Sequence, residues 1–177
     1  MRILVTYFTQ TGNTKRIARA IFEEVAKEHE AELKRIEEVS AETLDKYDLV
    51  FVGSPCHLRD LAAPVRELLE ALPESLGYRL AGFFTHGSPP TYRQDYERCA
   101  ASFVRVSREK QLDFLGCYDC QGCPSFHVQK IVYEYLKRER NITDKEWKEL
   151  MEEARKHPSP EDEEKTKEFA RKVLKKI

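Results

Sequence analysis

Short apolar segments alternate with longer amphipathic segments along most of the chain. Four of the short segments are continuously apolar and rich in β-branched or aromatic residues, namely residues 2–8, 48–54, 79–86 and 111–118. Continuous apolarity indicates strands that are covered on both faces, as in a parallel sheet. A fifth and weaker segment, residues 31–37, is typical of a strand at the edge of such a sheet.

The longer segments carry apolar residues at the i, i+3 and i+4 spacing of an amphipathic helix. The four apolar stripes are Ile17, Ala18, Ile21, Phe22 and Val25; Val65, Leu68, Leu69 and Leu72; Tyr92, Tyr96, Cys99, Ala100, Phe103 and Val104; and Phe169, Ala170, Val173 and Leu174. Five strands that alternate with helices predict an α/β fold with a doubly wound, five-stranded parallel sheet.

Composition excludes several other classes of protein. A chain of 177 residues fits a single domain over residues 1–177, and 41% hydrophobic with 34% charged residues indicates a folded, well-solvated protein. Lys and Arg (30) nearly balance Asp and Glu (31), so no basic field indicates nucleic acid as a partner. No apolar run approaches the ~18 residues of a membrane span. Without a signal-peptide pattern, we expect a cytoplasmic protein whose five cysteines are reduced.

A polar turn follows the first strand and precedes the first helix. It contains Thr9, Gln10, Thr11, Gly12, Asn13 and Thr14. The start of a helix exposes unpaired N–H groups and favours an anion, and a glycine permits a tight turn. The turn lacks the Gly-Lys pair of the Walker loop and the three glycines of the dinucleotide turn. It fits a phosphate monoester, and the alternative is a capped helix after a polar loop.

The stretch "TQTGNT" resembles the flavodoxin signature Ser/Thr-x-Thr-Gly-x-Thr, which binds the phosphate of flavin mononucleotide (FMN). "VGSP" after the third strand and "FFTHGSPP" after the fourth are similar to the second and third flavin loops of that family. The resemblance covers residues 1–120 and the last helix. It implies the strand order 2-1-3-4-5, with FMN at the switch point between strands one and three.

The resemblance also implies the residues of the flavin site. Thr9, Gln10, Thr11, Gly12, Asn13 and Thr14 would hold the phosphate. Ser54, Pro55, Cys56, His57 and Leu58 would lie beside the reactive N5 edge, and Thr85, His86, Gly87, Ser88 and Tyr92 would line the pyrimidine side or stack on the ring. Tyr92 is the first candidate for a stacking aromatic residue and His57 the second. Core packing is the alternative role for Tyr92.

We therefore expect an FMN-binding electron-transfer protein that serves a redox partner protein or a small electron donor or acceptor. The alternatives are an NAD(P)H-dependent flavin or quinone reductase and a flavin-free structural or interaction module. Flavodoxins are strongly acidic, whereas this chain has a net charge of −1. Residues 85–92 contain no acidic residue, and with His86 nearby a negatively charged reduced flavin should be penalised less.

Residues 124–158 exceed what a minimal fold of this kind needs. They carry two further stripes, Val128, Ile131, Val132, Tyr135 and Leu136, and Trp147, Leu150, Met151 and Ala154. Thr143 is a candidate N-cap between them. We expect an inserted helical hairpin that packs beside the fifth strand near the flavin. It either completes the core or provides a contact to a second copy or a partner.

Three cysteines follow the fifth strand at C-x2-C-x2-C spacing, namely Cys117, Cys120 and Cys123. The spacing is compatible with zinc or iron–sulfur ligation, although three ligands fall short of the usual four. A redox pair is a second interpretation. We favour a third, in which Cys117 is buried in the strand and residues 120–122 form a structural turn, and we expect no stoichiometric metal.

Overall fold

Strands of the sheet are β1 (Arg2–Tyr7), β2 (Glu30–Arg35), β3 (Leu49–His57), β5 (Arg79–His86) and β6 (Phe114–Gln121). They are parallel and lie in the order β2-β1-β3-β5-β6, which confirms the predicted fold class and strand order. A two-residue strand, β4 (Asp60–Leu61), turns back antiparallel on the end of β3. The structure is a computed structural model that describes residues 1–57, 59–73, 77–89, 93 and 97–177.

The helices are α1 (Asn13–Val25), α2 (Ala63–Ala71), α3 (Glu97–Glu109), α4 (Phe126–Arg140), α5 (Asp144–Ala154) and α6 (Pro160–Leu174). Within the described ranges, none of them has the length and apolarity that a membrane crossing requires.

Two hydrophobic cores cover the two faces of the sheet. The α1–α6 core joins helix residues such as Ile17, Ile21 and Ala170 to strand residues such as Val5 and Phe51. The α2–α3 core on the other face joins Val65, Leu69 and Phe103 to Leu4, Val50 and Val52. Successive central residues of β1 (3–5) and β3 (49–52) alternate between the two cores, which is why these stretches are apolar without a break.

The last strand lies three residues later than predicted. Residues 111–118 were expected, whereas β6 spans Phe114–Gln121. Gln111 instead takes a left-handed conformation, with φ of 54°, in the turn that ends α3. Gly116 also has positive φ, at 116°, where the register between β5 and β6 shifts. Cys120 and Gln121 consequently belong to the strand, so the prediction of a turn over residues 120–122 is wrong for these two.

The third helical stripe is only partly confirmed. Cys99 and Phe103 are buried, but Val104 is 44% exposed and Val106 is buried instead. Positions 99, 103 and 106 follow the i, i+4, i+7 spacing of one helix face, and position 104 lies off that face. Tyr92 and Tyr96 lie outside the described residues.

The predicted helical hairpin is present as α4 and α5. Thr143 is the N-cap of α5 and forms a capping box with Glu146, as predicted. No residue of α4 is buried, so the expectation that its stripe completes the core is wrong. In α5, by contrast, Met151 and Ala154 are buried. The homodimer or partner contact through this hairpin stays a prediction.

Candidate functional site

The turn between β1 and α1 has the backbone of an anion-binding loop. Gly12 has a φ of 92°, which is left-handed and strained for any residue with a side chain. Its N–H donates to Thr9 Oγ1 at 3.0 Å and so closes the turn. Gly12 is the N-cap of α1 and supplies no side-chain cap. The first-turn N–H groups of α1 therefore point to the carboxyl edge of the sheet without a capping side chain.

Charges near this loop favour an anion. The first turn of α1 contains no acidic residue, and Lys15 and Arg16 follow Thr14. A cavity of about 450 Å³ runs along this side of α1, and its lining contains three cations, Lys15, Arg16 and Arg19, and two acids, Glu23 and Glu163. Arg19 lies 3.6 Å from Glu23. Arg16 also forms an ion pair with Glu163 of α6, so part of this positive charge is neutralised.

Asn13 connects the loop to the segment that follows β6. Its Nδ2 donates to the carbonyl oxygen of Cys123 at 2.8 Å. A Cβ at Gly122 would lie 2.6 Å from the same nitrogen, so only glycine permits this approach. The predicted phosphate ligand Asn13 thus has a structural partner, which sequence reasoning missed because the two segments are 110 residues apart.

Thr14 and Thr85, which were predicted for two different loops, are in direct contact. Their Oγ1 atoms lie 2.8 Å apart in a hydrogen bond, and both side chains are buried. This bond joins the start of α1 to the end of β5. The phosphate loop and the third predicted loop therefore form one connected edge.

Within the second predicted loop, Ser54 has a structural role. Its hydroxyl accepts a hydrogen bond from the N–H of Ala62 at 2.8 Å and donates to the carbonyl of Pro55 at 2.8 Å. Cys56 and His57 pair with Leu61 and Asp60 in the short β4 hairpin. Leu58, the other residue predicted here, lies outside the described residues.

Phe8 belongs to this edge, although sequence reasoning did not select it. Its N–H donates to the carbonyl of Gly53 at 3.0 Å, and its ring meets the His57 ring edge-on, with centroids 6.4 Å apart. Burial and then the charge of Arg66 lower the pKa of His57, so its ring is neutral at pH 7. The sequence did offer a signal for Phe8, because it is the aromatic residue that ends the predicted strand segment 2–8 and directly precedes the polar turn.

His86 is buried at the end of β5 and lies between two acceptors. Its Nδ1 is 2.9 Å from the carbonyl oxygen of Ser88, which can only accept, so Nδ1 carries a hydrogen. Its Nε2 is 3.4 Å from Asp119 Oδ2 on β6. Residues 85–92 contain no acid, as the sequence showed, but Asp119 of the neighbouring strand β6 brings a carboxylate to this loop. Tyr92 lies outside the described residues.

Cys56 and Cys99 form a disulfide, with Cα atoms 6.3 Å apart. The expectation that all five cysteines are reduced is therefore wrong for this pair. The bond links the end of β3 to α3. The two residues are 43 positions apart and follow no recognisable spacing, so the sequence offered no signal for the pairing.

The other cysteines, Cys117, Cys120 and Cys123, are free thiols. Cys117 packs against the α2–α3 core and Cys120 lies in the α1–α6 core, on the opposite face of the sheet. Burial raises the pKa of both thiols, which disfavours the thiolate that metal ligation requires. The described part of the chain contains no group of three or more His, Cys, Asp or Glu residues arranged for a metal ion.

Comparison with known proteins identifies the family of this chain. The family model of the flavodoxin domain matches residues 4–171. The chain belongs to the flavodoxin family. Flavodoxins hold FMN at the switch point between the first and third strands, and this flavodoxin-family chain places Gly12 and Cys56 beside that point.

Relatives of this flavodoxin-family chain are distant in sequence. It is 28% identical over 124 residues to the flavodoxin-like domain-containing protein BilS of Clostridioides difficile (strain CD3), a match that covers 69% of this chain and 66% of that protein. It resembles the crystal structure of oxidised flavodoxin 1 from Bacillus cereus with a TM-score of 0.68 and 17% identity, over 100% of this chain and 99% of that one. For a flavodoxin from Streptococcus pneumoniae TIGR4 the TM-score is 0.69 and the identity 14%, over 100% of both chains.

Proposed function

We propose that the chain binds FMN at the carboxyl edge of its sheet and carries electrons between redox partners. The observation that carries the proposal is the Gly12 turn, which leaves the start of α1 without a side-chain cap at the switch point of a flavodoxin-family sheet. FMN, when bound, supplies one- and two-electron redox chemistry, and the protein supplies binding, orientation and electrostatics.

The phosphate would be held by backbone and hydroxyl donors of residues 9–14. The Thr9 hydroxyl accepts from Gly12, so its own hydrogen remains available to a phosphate oxygen. Thr11 is exposed at the tip of the turn, where its hydroxyl can donate as well. Asn13 would mainly position the loop, because one hydrogen of its amide is donated to Cys123.

The ring system would lie between the ends of β3 and β5. Pro55, Cys56 and His57 would border one side, and residues 85–88 the other. Asp119 Oδ2 lies 3.4 Å from His86 Nε2, so the carboxylate on this side of the site has the imidazole ring as a neighbour. We therefore expect a negatively charged reduced flavin to be less destabilised here than it would be beside carboxylates that have no partner.

The test compares the affinities of the apoprotein for FMN and riboflavin, which differ by the phosphate. We expect Thr11→Ala to remove one hydrogen bond, about 0.5–1.5 kcal/mol, which is roughly a 2- to 12-fold weaker Kd for FMN. Riboflavin binding should change little, and so should both affinities in Thr43→Ala, an exposed threonine in the connection between β2 and β3. Flavin-fluorescence quenching measures the dissociation constants of both flavins for each variant and for the wild type. Equal loss for both flavins would place the phosphate elsewhere.

An NAD(P)H-dependent flavin or quinone reductase is the second candidate, and the near-neutral net charge of −1 favours it over a strongly acidic carrier. Anaerobic mixing of the purified yellow protein with NADPH or NADH separates the two. In a carrier the absorbance of the oxidised flavin persists until a partner reductase is added. In a reductase that absorbance is lost as soon as the nicotinamide is mixed in.

A further inference from the structure

The Cys56–Cys99 disulfide lies in a segment that borders the proposed flavin site. Cys56 is the second-last residue of β3, the strand that pairs with β1 at the switch point. The next residue, His57, contacts Phe8, which directly precedes the phosphate loop. One sulfur of the disulfide therefore belongs to the same strand end that would border the flavin ring.

The two sulfurs differ in accessibility. Cys99 is 0% exposed within the α2–α3 core, whereas Cys56 is only partly buried. An electron donor can therefore reach the bond through Cys56, and a donor held at the switch point is on the side where Cys56 lies. Cys99 is shielded from reagents in bulk solvent.

A hydrogen bond besides the S–S bond links α3, which carries Cys99, to the hairpin that carries Cys56. Ser102, three residues after Cys99 on α3, donates to Asp60 Oδ1 at 2.6 Å. Arg66 of α2 donates to the carbonyl of Leu61 at 2.6 Å, and Leu61 pairs with Cys56 across the hairpin. We expect the Ser102–Asp60 hydrogen bond to keep the two elements together when the S–S bond is broken, so that the bond can re-form. Reversible cycling is what a redox centre requires.

We propose that Cys56 and Cys99 are a redox-active pair that exchanges two electrons with the flavin, an inference that rests on the proposed function. In the forward direction the S–S bond takes up two electrons and two protons and breaks into two thiols. Both electrons come from the two-electron-reduced flavin, which is oxidised in the same step. With a negatively charged reduced flavin, one proton comes from the flavin and the other from water, so no further reductant is needed. The chain would then store four electrons, two on the flavin and two on the sulfurs.

The surroundings of Cys99 explain why protons accompany the electrons. Burial in an apolar core favours the neutral thiol over the thiolate. Cys117 and Cys120 cannot replace this pair, since they lie on opposite faces of the sheet. We therefore assign the redox role to Cys56 and Cys99.

The first experiment counts thiols in the wild-type protein before and after anaerobic photoreduction of its bound flavin. The protein is then denatured and alkylated, and modified cysteines are counted by mass spectrometry. We expect three modified cysteines in the oxidised holoprotein, which are Cys117, Cys120 and Cys123, and all five after reduction. The apoprotein, illuminated in the same mixture, should keep three.

The second experiment titrates the holoprotein with reductant and counts electrons per flavin. Wild type should take up four and Cys99→Ala two, while Cys117→Ser, a matched loss of one sulfur on β6, should still take up four. If Cys99→Ala does not fold, Cys56→Ser replaces it, and the wild-type thiol count stands without either variant. Three modified cysteines in the reduced holoprotein, or two electrons per flavin in wild type, would overturn the inference and leave FMN binding intact. An apoprotein that takes up no FMN would overturn both.

Discussion

Helices α6 and α4 have the same length and similar sequence patterns, yet only one of them is buried. Each has 15 residues, an apolar stripe and a serine N-cap, Ser159 for α6 and Ser125 for α4. In α6 the residues Thr166, Ala170 and Val173 are buried, whereas α4 buries none and leaves Phe126 84% exposed. An amphipathic pattern thus predicts a helix and its apolar face, but not what covers that face.

The contacts of α6 show how its apolar face is covered, which the amphipathic pattern does not predict. Arg171 pairs with Glu24 of α1 at 3.0 Å, and Phe169 stacks on Tyr118 of β6, with ring centroids 5.7 Å apart. Helix α4 contacts α5 through side chains that are partly exposed. Tyr133 lies beside Trp147, and its hydroxyl donates a hydrogen bond to Asp144 at 2.5 Å. The α1–α6 side is therefore part of the cooperative core, and the hairpin is expected to be a separate, less stable unit.

Truncation of a matched isoleucine should show the largest difference between the two regions. Ile21 of α1 is 0% exposed and Ile131 of α4 is 54% exposed. We expect Ile21→Ala to lower the free energy of unfolding by about 2–5 kcal/mol, because it leaves a cavity. Ile131→Ala should change it by less than ~0.5 kcal/mol. Urea unfolding measures both, and a large loss at Ile131 would mean that the α4 face is covered in solution.

Removal of a buried charge should have the next largest effect. Glu24 is almost fully buried, and hydrogen bonds from Lys27 first and Arg171 next lower its pKa against the opposing effect of burial. Its folded pKa is below the unfolded value, so its contribution is present at neutral pH and is lost as the pH falls through the folded pKa. Because both partners are partly exposed, we expect Glu24→Gln to cost about 1–3 kcal/mol at pH 7, the range for lost hydrogen bonds to a charged group.

The pH dependence separates this charge effect from a packing defect. The difference between wild type and Glu24→Gln should shrink as the pH falls below about 4, and stay constant if only packing is lost. Glu134→Gln on exposed α4 is the control, and its stability should follow wild type throughout. Urea unfolding at a series of pH values gives both curves.

Loss of a helix cap should have the smallest effect on stability. Caps at α6 and α5 can be compared to show whether the hairpin unfolds separately from the core. Ser159 and Thr143 form equivalent capping boxes at α6 and α5. Each change to alanine should cost about 1 kcal/mol. For Ser159→Ala we expect a loss of global stability, whereas Thr143→Ala should only speed amide exchange within α5. Native-state hydrogen exchange by NMR resolves the two, and uniform acceleration in Thr143→Ala would show that the hairpin unfolds with the core.

Much of the candidate site could be predicted because it depends on neighbours in sequence. The turn of residues 9–14 needs one glycine at a strand-to-helix junction, and Gly12 has the expected left-handed backbone. The Thr143 cap is likewise a local motif and was predicted correctly. The end of β6 was misplaced because the Gly116 irregularity depends on pairing with β5.

Local pattern and the physics of backbone turns determined the α/β fold and the polar loop after β1, whereas the strand order was implied by the family resemblance. Tertiary structure alone decided which distant groups meet: Asp119 with His86, Cys123 with Asn13, and Cys56 with Cys99. It also decided that α6 is covered and α4 is not. The physical reason is that side-chain periodicity records the preference of a residue for burial, whereas the partner that buries it is set by how the whole chain packs.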